Sequence, residues 1–318
     1  MSDRNTAPPK KAFLELTRVC NSSCSHCLNS SGSRMESELH SDEILDLVRR
    51  LAAFGLQEIR FTGGEPTVHP ILREAIALAA SLGIKTSIGT NAMTITDTFA
   101  HELSGAGLQK AVVSIDGDET SHDHVRGFGS YRRTWSGVQA LRAAKIEVRI
   151  NAVAMKTTYA GLRHLGELCR QKHVSLFIRR YIPSGRASGN LSEILTSADY
   201  ARLRVELRDL LDDGTADGHH LSSKHNHCSA GTSGLVILPD GKVQSCGFLS
   251  GFGEEPYGNI RFDDLAAIWE RVVHSPFLRE NQSRLKVWAR DHVDLPETNC
   301  PAMSIGIDGL VQIRRNLP

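Results

Sequence analysis

The stretch Ala12-Phe-Leu-Glu-Leu-Thr-Arg-Val-Cys20-Asn-Ser-Ser-Cys24-Ser-His-Cys27 runs from a short apolar strand, predicted over Ala12–Leu16, into three cysteines on a loop. Thiols this close in sequence can converge on one face of the loop, and soft thiolates suit iron–sulfur clusters or zinc. A tetrahedral structural zinc wants a fourth ligand. His26 is adjacent to Cys27, which makes binding of both to one ion awkward. Three thiolates on a four-iron cluster instead leave one iron open to bind and activate a ligand.

Outward from this stretch, short apolar strands alternate with helices. Further strands are predicted at Glu58–Phe61, Ile84–Ile88, Ala111–Ile115, Glu147–Val153 and Ser175–Ile178. Ser41–Phe54 reads as a helix, with Ile44, Leu45, Leu47, Val48 and Leu51 at helical spacing, Ser41 as N-cap and Gly55 as C-cap. Pro70 suits the first turn of a helix through Ala80. Six such units argue for α/β architecture with a parallel sheet, an open or partial (β/α)6 barrel rather than the closed eight-stranded one. Chemistry then belongs beyond the carboxyl ends of the strands. The pattern changes after Pro183, in Ser-Gly-Arg-Ala-Ser-Gly-Asn, followed by a helix at about Ser197–Leu211. A β-hairpin is predicted around Pro239-Asp240-Gly241, with helices at Phe262–Val273 and Ser275–Arg290. The expected division is a disordered tail at 1–11, a core at 12–183 and a small α+β domain, hairpin plus helices, at 184–318.

Composition narrows the function classes. The chain has 318 residues, and Lys+Arg 37 against Asp+Glu 36 leaves a net charge of +1. No bulk field favours nucleic acid or an anionic membrane. No apolar run approaches the roughly 18–20 residues of a membrane span. The polar start Met-Ser-Asp-Arg-Asn-Thr lacks the apolar segment of a signal peptide. A cytoplasmic enzyme with reduced thiols is expected.

With its C-x3-C-x2-C spacing after the first strand, the chain resembles the radical S-adenosylmethionine superfamily. The resemblance covers roughly residues 12–182. It implies that Cys20, Cys24 and Cys27 hold a [4Fe-4S] cluster whose open iron chelates S-adenosylmethionine. Reduction, by a donor such as flavodoxin or ferredoxin, then yields a 5′-deoxyadenosyl radical that abstracts a substrate hydrogen. Phe61-Thr-Gly63-Gly64-Glu65-Pro66 follows the second strand. Two glycines there allow a tight turn with close backbone approach to a ligand, and carbonyls with Glu65 offer acceptors to an ammonium group. By resemblance this turn receives the methionyl amino group. Gly64→Val is therefore expected to weaken cofactor binding and leave iron content nearly normal. The resemblance extends more loosely to Thr90 and Asn91 after strand three, Ser114 and Asp116 at the end of strand four for ribose hydroxyls, and Asn151 within strand five. His26 stands where the family often has an aromatic residue beside the adenine. Arg126 could anchor a carboxylate of cofactor or substrate.

Cys228 precedes the predicted hairpin, Cys246 ends it, and Cys300 lies in the tail. Two antiparallel strands would bring the first two together. Cys169 instead sits in an amphipathic stretch and reads as a packed residue. From Cys228 through Tyr257-Gly-Asn-Ile260 to Trp269, the sequence resembles the SPASM or shortened twitch extension of the same superfamily, which implies an auxiliary [4Fe-4S] cluster. Three cysteines fit one such cluster; the position three residues after the last is Met303, so His227, Asp291 or His292 could complete it or one iron could stay open. The substrate is expected to be a small molecule or a peptide in natural-product or cofactor biosynthesis, modified with oxidative or redox-neutral outcome. Only eleven residues precede Ala12, so peptide recognition would use a separate leader-binding protein. Arg179, Arg180 and Arg186, at the exit of the last strand, could meet an acidic peptide or sugar. A zinc or iron–sulfur binding or sensor protein without radical chemistry is the alternative. Gly63-Gly64-Glu65-Pro66 stands against it, because a structural site would not need that turn.

Overall fold

Strand residues alternate between two environments, and this alternation shapes the molecule. In a computed structural model, which describes residues 7–212, 216–217, 230–249 and 254–279, six parallel strands carry the core. They are β1 (Lys11–Glu15), β2 (Glu58–Thr62), β3 (Lys85–Thr90), β4 (Lys110–Ser114), β5 (Glu147–Ala154) and β6 (Ser175–Arg180). Leu14, Ile59, Phe61, Ile88, Ala111, Val113, Ile150, Ala152, Leu176 and Ile178 are fully excluded from solvent. They pack under the helices that link the strands: α1 (Ser41–Ala53), α2 (Leu72–Ser81), α3 (Asp97–Gly105), α4 (Glu119–Arg126), α5 (Ser130–Ala143) and α6 (Lys156–Gln171). Their neighbours Phe13, Arg60, Thr62, Gly89, Val112, Ser114, Arg149 and Asn151 are half-buried and face the other side. A period of two thus separates a dry helix-covered face from an accessible inner one, as a partial barrel requires.

The sheet is wider than six strands. Its order is β7-β6-β5-β4-β3-β2-β1-β8-β9, where β7 is Ala216–Asp217, β8 is Gly234–Ile237 and β9 is Val243–Gln244. β8 lies parallel to β1, with Lys11 opposite Gly234 and Leu14 opposite Ile237. The predicted hairpin is present, β8 pairing antiparallel with β9 around Gly241 at φ +83°. Periodicity within the hairpin could not reveal that its first strand extends the barrel sheet. The helix expected at Ser197–Leu211 is broken into α7 (Ser197–Glu206) and α8 (Arg208–Asp212). α9 spans Leu265–Val273 and starts later than Phe262, because the Asp264 side chain accepts the Ala266 and Ala267 amides and caps it there. α1 is capped by His40, one residue ahead of Ser41, and Glu43 accepts the His40 amide at 2.8 Å. Pro70 precedes α2 rather than opening it. The predicted helix Ser275–Arg290 extends beyond the described residues. Among those residues no helix is long and apolar enough to cross a membrane.

Two contacts set the carboxyl ends of the strands. Beyond β2, Gly64 donates its amide to the Thr17 carbonyl at 2.7 Å, and Glu65 donates to Val19 at 2.9 Å. A Cβ on Gly64 would lie 2.1 Å from the Val19 carbonyl oxygen, and one on Gly63, at φ +129°, 2.5 Å from that of Thr17. The close approach expected of this turn is therefore an approach to the chain's own backbone, where it leads into Cys20. The second contact anchors α4 beneath β4. His122 is fully buried, its Nδ1 accepts the Asp116 amide at 3.1 Å, and its ring meets Tyr131 edge-on at 5.6 Å. Nδ1 is an acceptor there, so the ring is neutral. Burial, and then the nearby Arg126 charge, lower its pKa to about 4.

The expectation for Gly64 changes accordingly. Gly64→Ala should destabilise the fold by roughly 3 kcal/mol, as overpacking against rigid backbone does, and should lower reconstituted iron at Cys20, Cys24 and Cys27. Denaturant unfolding and iron analysis check this; a variant with normal iron and lost cofactor affinity would restore the original expectation. For His122 the folded value lies below the unfolded one of about 6.5. Its contribution is complete above pH 6.5 and is lost as pH falls toward 4, on the order of 3 kcal/mol. His122→Gln should flatten the stability curve between pH 7 and 4.5; parallel curves for variant and wild type would refute the assignment.

Candidate active site

The cysteine loop leaves β1 and closes on itself. Val19 and Gly32 bridge, Cys20 donates its amide to the Gly32 carbonyl at 3.1 Å, and Gly32 donates to Arg18 at 2.8 Å. Glu38, almost fully buried, holds the neck: it accepts the Arg18 amide at 2.7 Å and the Thr17 hydroxyl at 2.9 Å. The segment after β6 clamps the far side. Arg186 donates its amide to the Cys27 carbonyl at 2.9 Å and its guanidinium to the carbonyls of Cys24 and Ser31 at 2.7 and 2.5 Å. Arg186 therefore braces the loop from within, where an outward role toward an acidic substrate was expected. The sequence carried no signal for Glu38, since nothing local distinguishes a brace from a surface acid.

Cys20, Cys24 and Cys27 are half-buried free thiols. Burial chiefly pushes the Cys20 thiol up to about 11, and the charges of Glu65, Cys24 and Cys27 add to it. A thiol raised that far is protonated near neutrality, so ligation there must displace a proton. Cys24 Sγ lies 3.1 Å from the Ser22 hydroxyl and 3.8 Å from Arg126 Nη1, and Cys27 Sγ accepts the Ser31 amide at 3.4 Å.

Beside the thiols sits a buried charge network. Arg126 Nε donates to Asp116 Oδ2 at 2.6 Å, and Asp116 Oδ1 accepts the Val153 amide at 2.8 Å. His26 Nε2 stands 3.2 Å from both Asp116 Oδ2 and Arg126 Nη2. Burial alone would raise the Asp116 carboxyl, but Arg126 and His26 outweigh it and hold the group far below the usual carboxylate range. Burial likewise opposes the Arg126 charge, which Asp116 and the thiols of Cys24 and Cys27 more than restore. His26 thus touches both members of the Asp116–Arg126 pair, contacts that its own loop does not announce. Its Nδ1 is buried with no hydrogen-bond partner among the described residues.

The turn after β2 is tied to β3. The Glu65 carboxylate is buried and accepts the Thr67 amide and hydroxyl at 3.1 and 2.7 Å, the Thr90 hydroxyl at 2.7 Å and the Asn91 amide at 2.7 Å. Burial raises its pKa against these bonds. Four donors from the protein hold this carboxylate, so Glu65 fixes the turn, and the acceptors left for an ammonium group are backbone carbonyls. Pro66 opens a short 3-10 helix at Pro66–Val68. Asn91 reaches across to Asn21 of the cysteine loop at 2.7 Å. Ser114 and Asn151 stand opposite each other on β4 and β5, on the inner face, and Asn151 Oδ1 accepts Arg179 Nε at 2.7 Å.

The structure therefore brings together Cys20, Cys24, Cys27, His26, Asp116, Arg126, Asn91 and the Gly63–Pro66 turn, while Ser114 and Asn151 line the wall leading to them. Among the described residues no three His, Cys, Asp or Glu side chains converge as ligands of a single metal ion. A four-iron cluster makes a different demand, one thiolate for each of three separate irons. Three free thiols, an adjacent guanidinium and an unsatisfied ring nitrogen fit such a cluster with a zwitterionic ligand beside it. Of the second set, Cys246 is half-buried just after β9. Cys228 and Cys300, with His227, Asp291, His292 and Met303, lie outside the described residues. Cys169 is fully buried in α6, where it packs in the hydrophobic core.

Comparison with known proteins agrees with this geometry. Residues 14–169 match the model of the radical SAM superfamily, and residues 228–294 match the SPASM iron-sulfur cluster-binding domain. The mycofactocin maturase MftC of Mycobacterium tuberculosis is 30% identical over 317 residues, covering 94% of this chain and 80% of that protein. The AdoMet-dependent heme synthase of Nitratidesulfovibrio vulgaris is 29% identical over 293 residues, covering 82% and 78%. Among solved structures, native anSMEcpe with bound AdoMet and the Cp18Cys peptide superposes with a TM-score of 0.69 at 18% identity, covering 98% of this chain and 100% of that one. The chain belongs to the radical S-adenosylmethionine superfamily and is one of its SPASM-containing, iron–sulfur and S-adenosylmethionine-dependent enzymes.

Proposed function

We propose that Cys20, Cys24 and Cys27 hold the catalytic [4Fe-4S] cluster and that the groups around them bind S-adenosylmethionine. The convergence of the thiol loop, the Gly63–Pro66 turn and the Arg126–Asp116–His26 network at one end of the sheet carries this reading. When bound and reduced, the cluster supplies the electron that splits S-adenosylmethionine into methionine and a 5′-deoxyadenosyl radical, which takes a hydrogen atom from the substrate. Carbonyls of the Gly63–Glu65 turn accept the methionyl ammonium, and Glu65 holds that turn against β3. Asp116 orients Arg126, whose remaining amino groups receive the methionyl carboxylate. Ser114 and Asn151 face the nucleoside from the inner wall, and His26 and Asn91 close its edge.

Residues 12–183 form the catalytic unit in this proposal. Residues 184–318 bring Cys228, Cys246 and Cys300 to an auxiliary [4Fe-4S] cluster and leave residues 1–11 as a tail. An auxiliary cluster near the substrate suits an oxidative outcome, because it can accept the electron left on the substrate. The substrate is a peptide or small molecule of a biosynthetic pathway. A flavodoxin or ferredoxin serves as electron donor, and a separate leader-binding protein presents a peptide substrate. The free thiols of the loop suit the reducing cytoplasm.

Replacing Cys20, Cys24 and Cys27 together by Ala should lower iron by about four atoms per chain and abolish 5′-deoxyadenosine formation with dithionite. Iron analysis and chromatography of the nucleoside products check both. Undiminished cleavage in the triple variant would sink the assignment.

A further inference from the structure

The inner face of the barrel carries a cation, Arg60, that the chemistry above does not use. Arg60 lies on β2 opposite Phe13 and Ser87, Arg149 lies on β5 opposite Val112, and Arg179 lies on β6 opposite Val153. All three are half-buried and alternate with residues fully buried under the helices, so they share the accessible inner side. Each guanidinium is held against an aromatic ring. Arg60 is 5.3 Å from the Phe13 centroid, and Arg149 and Arg179 flank Phe177 at 4.2 and 4.9 Å. Arg179 also approaches Phe248 at 5.8 Å, two residues beyond Cys246. Stacking on Phe13 fixes the plane of the Arg60 guanidinium and leaves its edge for a planar anion.

The charge around Arg60 is unbalanced. Lys11 pairs with Glu58 at 2.6 Å one rung below Arg60, and Lys110 pairs with Glu147 at 2.5 Å on the rung of Arg60 itself, so those acids are already matched. Arg60 donates its Nε to the Ser87 hydroxyl at 3.3 Å and forms no ion pair among the described residues. Burial lowers its pKa, as does the charge of Arg149, against an opposing contribution from Glu58. Gly89 keeps the space above Arg60 open: a Cβ there would stand 3.2 Å from the Thr62 hydroxyl and 3.8 Å from the Arg60 Cδ. Arg60 comes three residues before Gly63, roughly 10 Å down the strand at ~3.3 Å per residue.

We propose that the barrel interior is an anion-binding substrate chamber, and that the substrate carries a carboxylate which Arg60 receives beneath the radical site. This rests on the proposed function and specifies the substrate class for the same site. Planar bidentate recognition favours a carboxylate, which matches the guanidinium edge left by stacking on Phe13. A hydrogen abstracted in this chamber would therefore come from a carbon within about 10 Å of a substrate carboxylate.

The test uses holoenzyme with its clusters reconstituted, and glutarate as the probe. Anaerobic titration followed by thermal unfolding should show saturable stabilisation of wild-type protein. Arg60→Gln should need at least tenfold more glutarate for the same shift, and Arg60→Lys should recover part of the effect. A wild-type protein indifferent to glutarate, or a response unchanged in Arg60→Gln, overturns the chamber. Inorganic phosphate binding more tightly than glutarate overturns the carboxylate assignment. Wild-type protein that forms 5′-deoxyadenosine while ignoring glutarate refutes this inference alone; wild-type protein that forms none refutes the proposed function instead.

Discussion

No side chain fits between Gly64 and the carbonyl of Val19, and the active site depends on that fact. The turn after β2 lies directly on the segment leading from β1 to Cys20, joined by amide-to-carbonyl bonds from Gly64 and Glu65. Backbone against backbone is the shortest approach two strand ends can make. It places the thiol loop and the turn on one rigid ledge. Glu65 then extends the ledge to β3 through Thr90 and Asn91, and Asn91 returns to the loop through Asn21. The loop is thus held as part of the sheet's end rather than as a free excursion from it.

Electrostatics supplies the second constraint. Thiolates and a reduced cluster concentrate negative charge where water is scarce, and an uncompensated charge there is costly. Arg126 supplies the opposite sign beside Cys24, and Asp116 keeps that guanidinium fixed in place. The Arg126–Asp116 pair is itself buried, and such pairs contribute little net stability while fixing geometry. Its value at this site is orientation. The arginine enters on the last turn of α4, and the neutral His122 of the same helix binds the Asp116 backbone. Helix position and charge position are therefore set together.

The alternation of apolar runs and helical periodicity made the parallel sheet legible, and cysteine spacing made the metal chemistry legible, because both are local in sequence. What stayed hidden depends on partners far apart along the chain. β8 looks like half of an isolated hairpin until Gly234 is set beside Lys11. Arg186 looks like a surface cation until its guanidinium is seen on the carbonyls of Cys24 and Ser31. His26 looks like a lone ring on its loop until Asp116 and Arg126, about ninety and a hundred residues on, are set beside it. The Gly-Gly pair was recognised, yet its nearest neighbour proved to be the chain itself.

The parallel pairing of β8 with β1 also bears on how the protein comes to exist. Until residues near 234 leave the ribosome, one side of β1 has no neighbour, and its unpaired amides and carbonyls remain open to other chains. Non-local pairing of this kind forms slowly, because a long loop must close before the contact rewards it. The strand that leads to the thiol loop is therefore an exposed edge during most of synthesis, and completing that edge is among the last structural events in assembly. A nascent chain stalled before the hairpin is thus the form most open to aggregation, with its cysteines already displayed beside an unpaired strand.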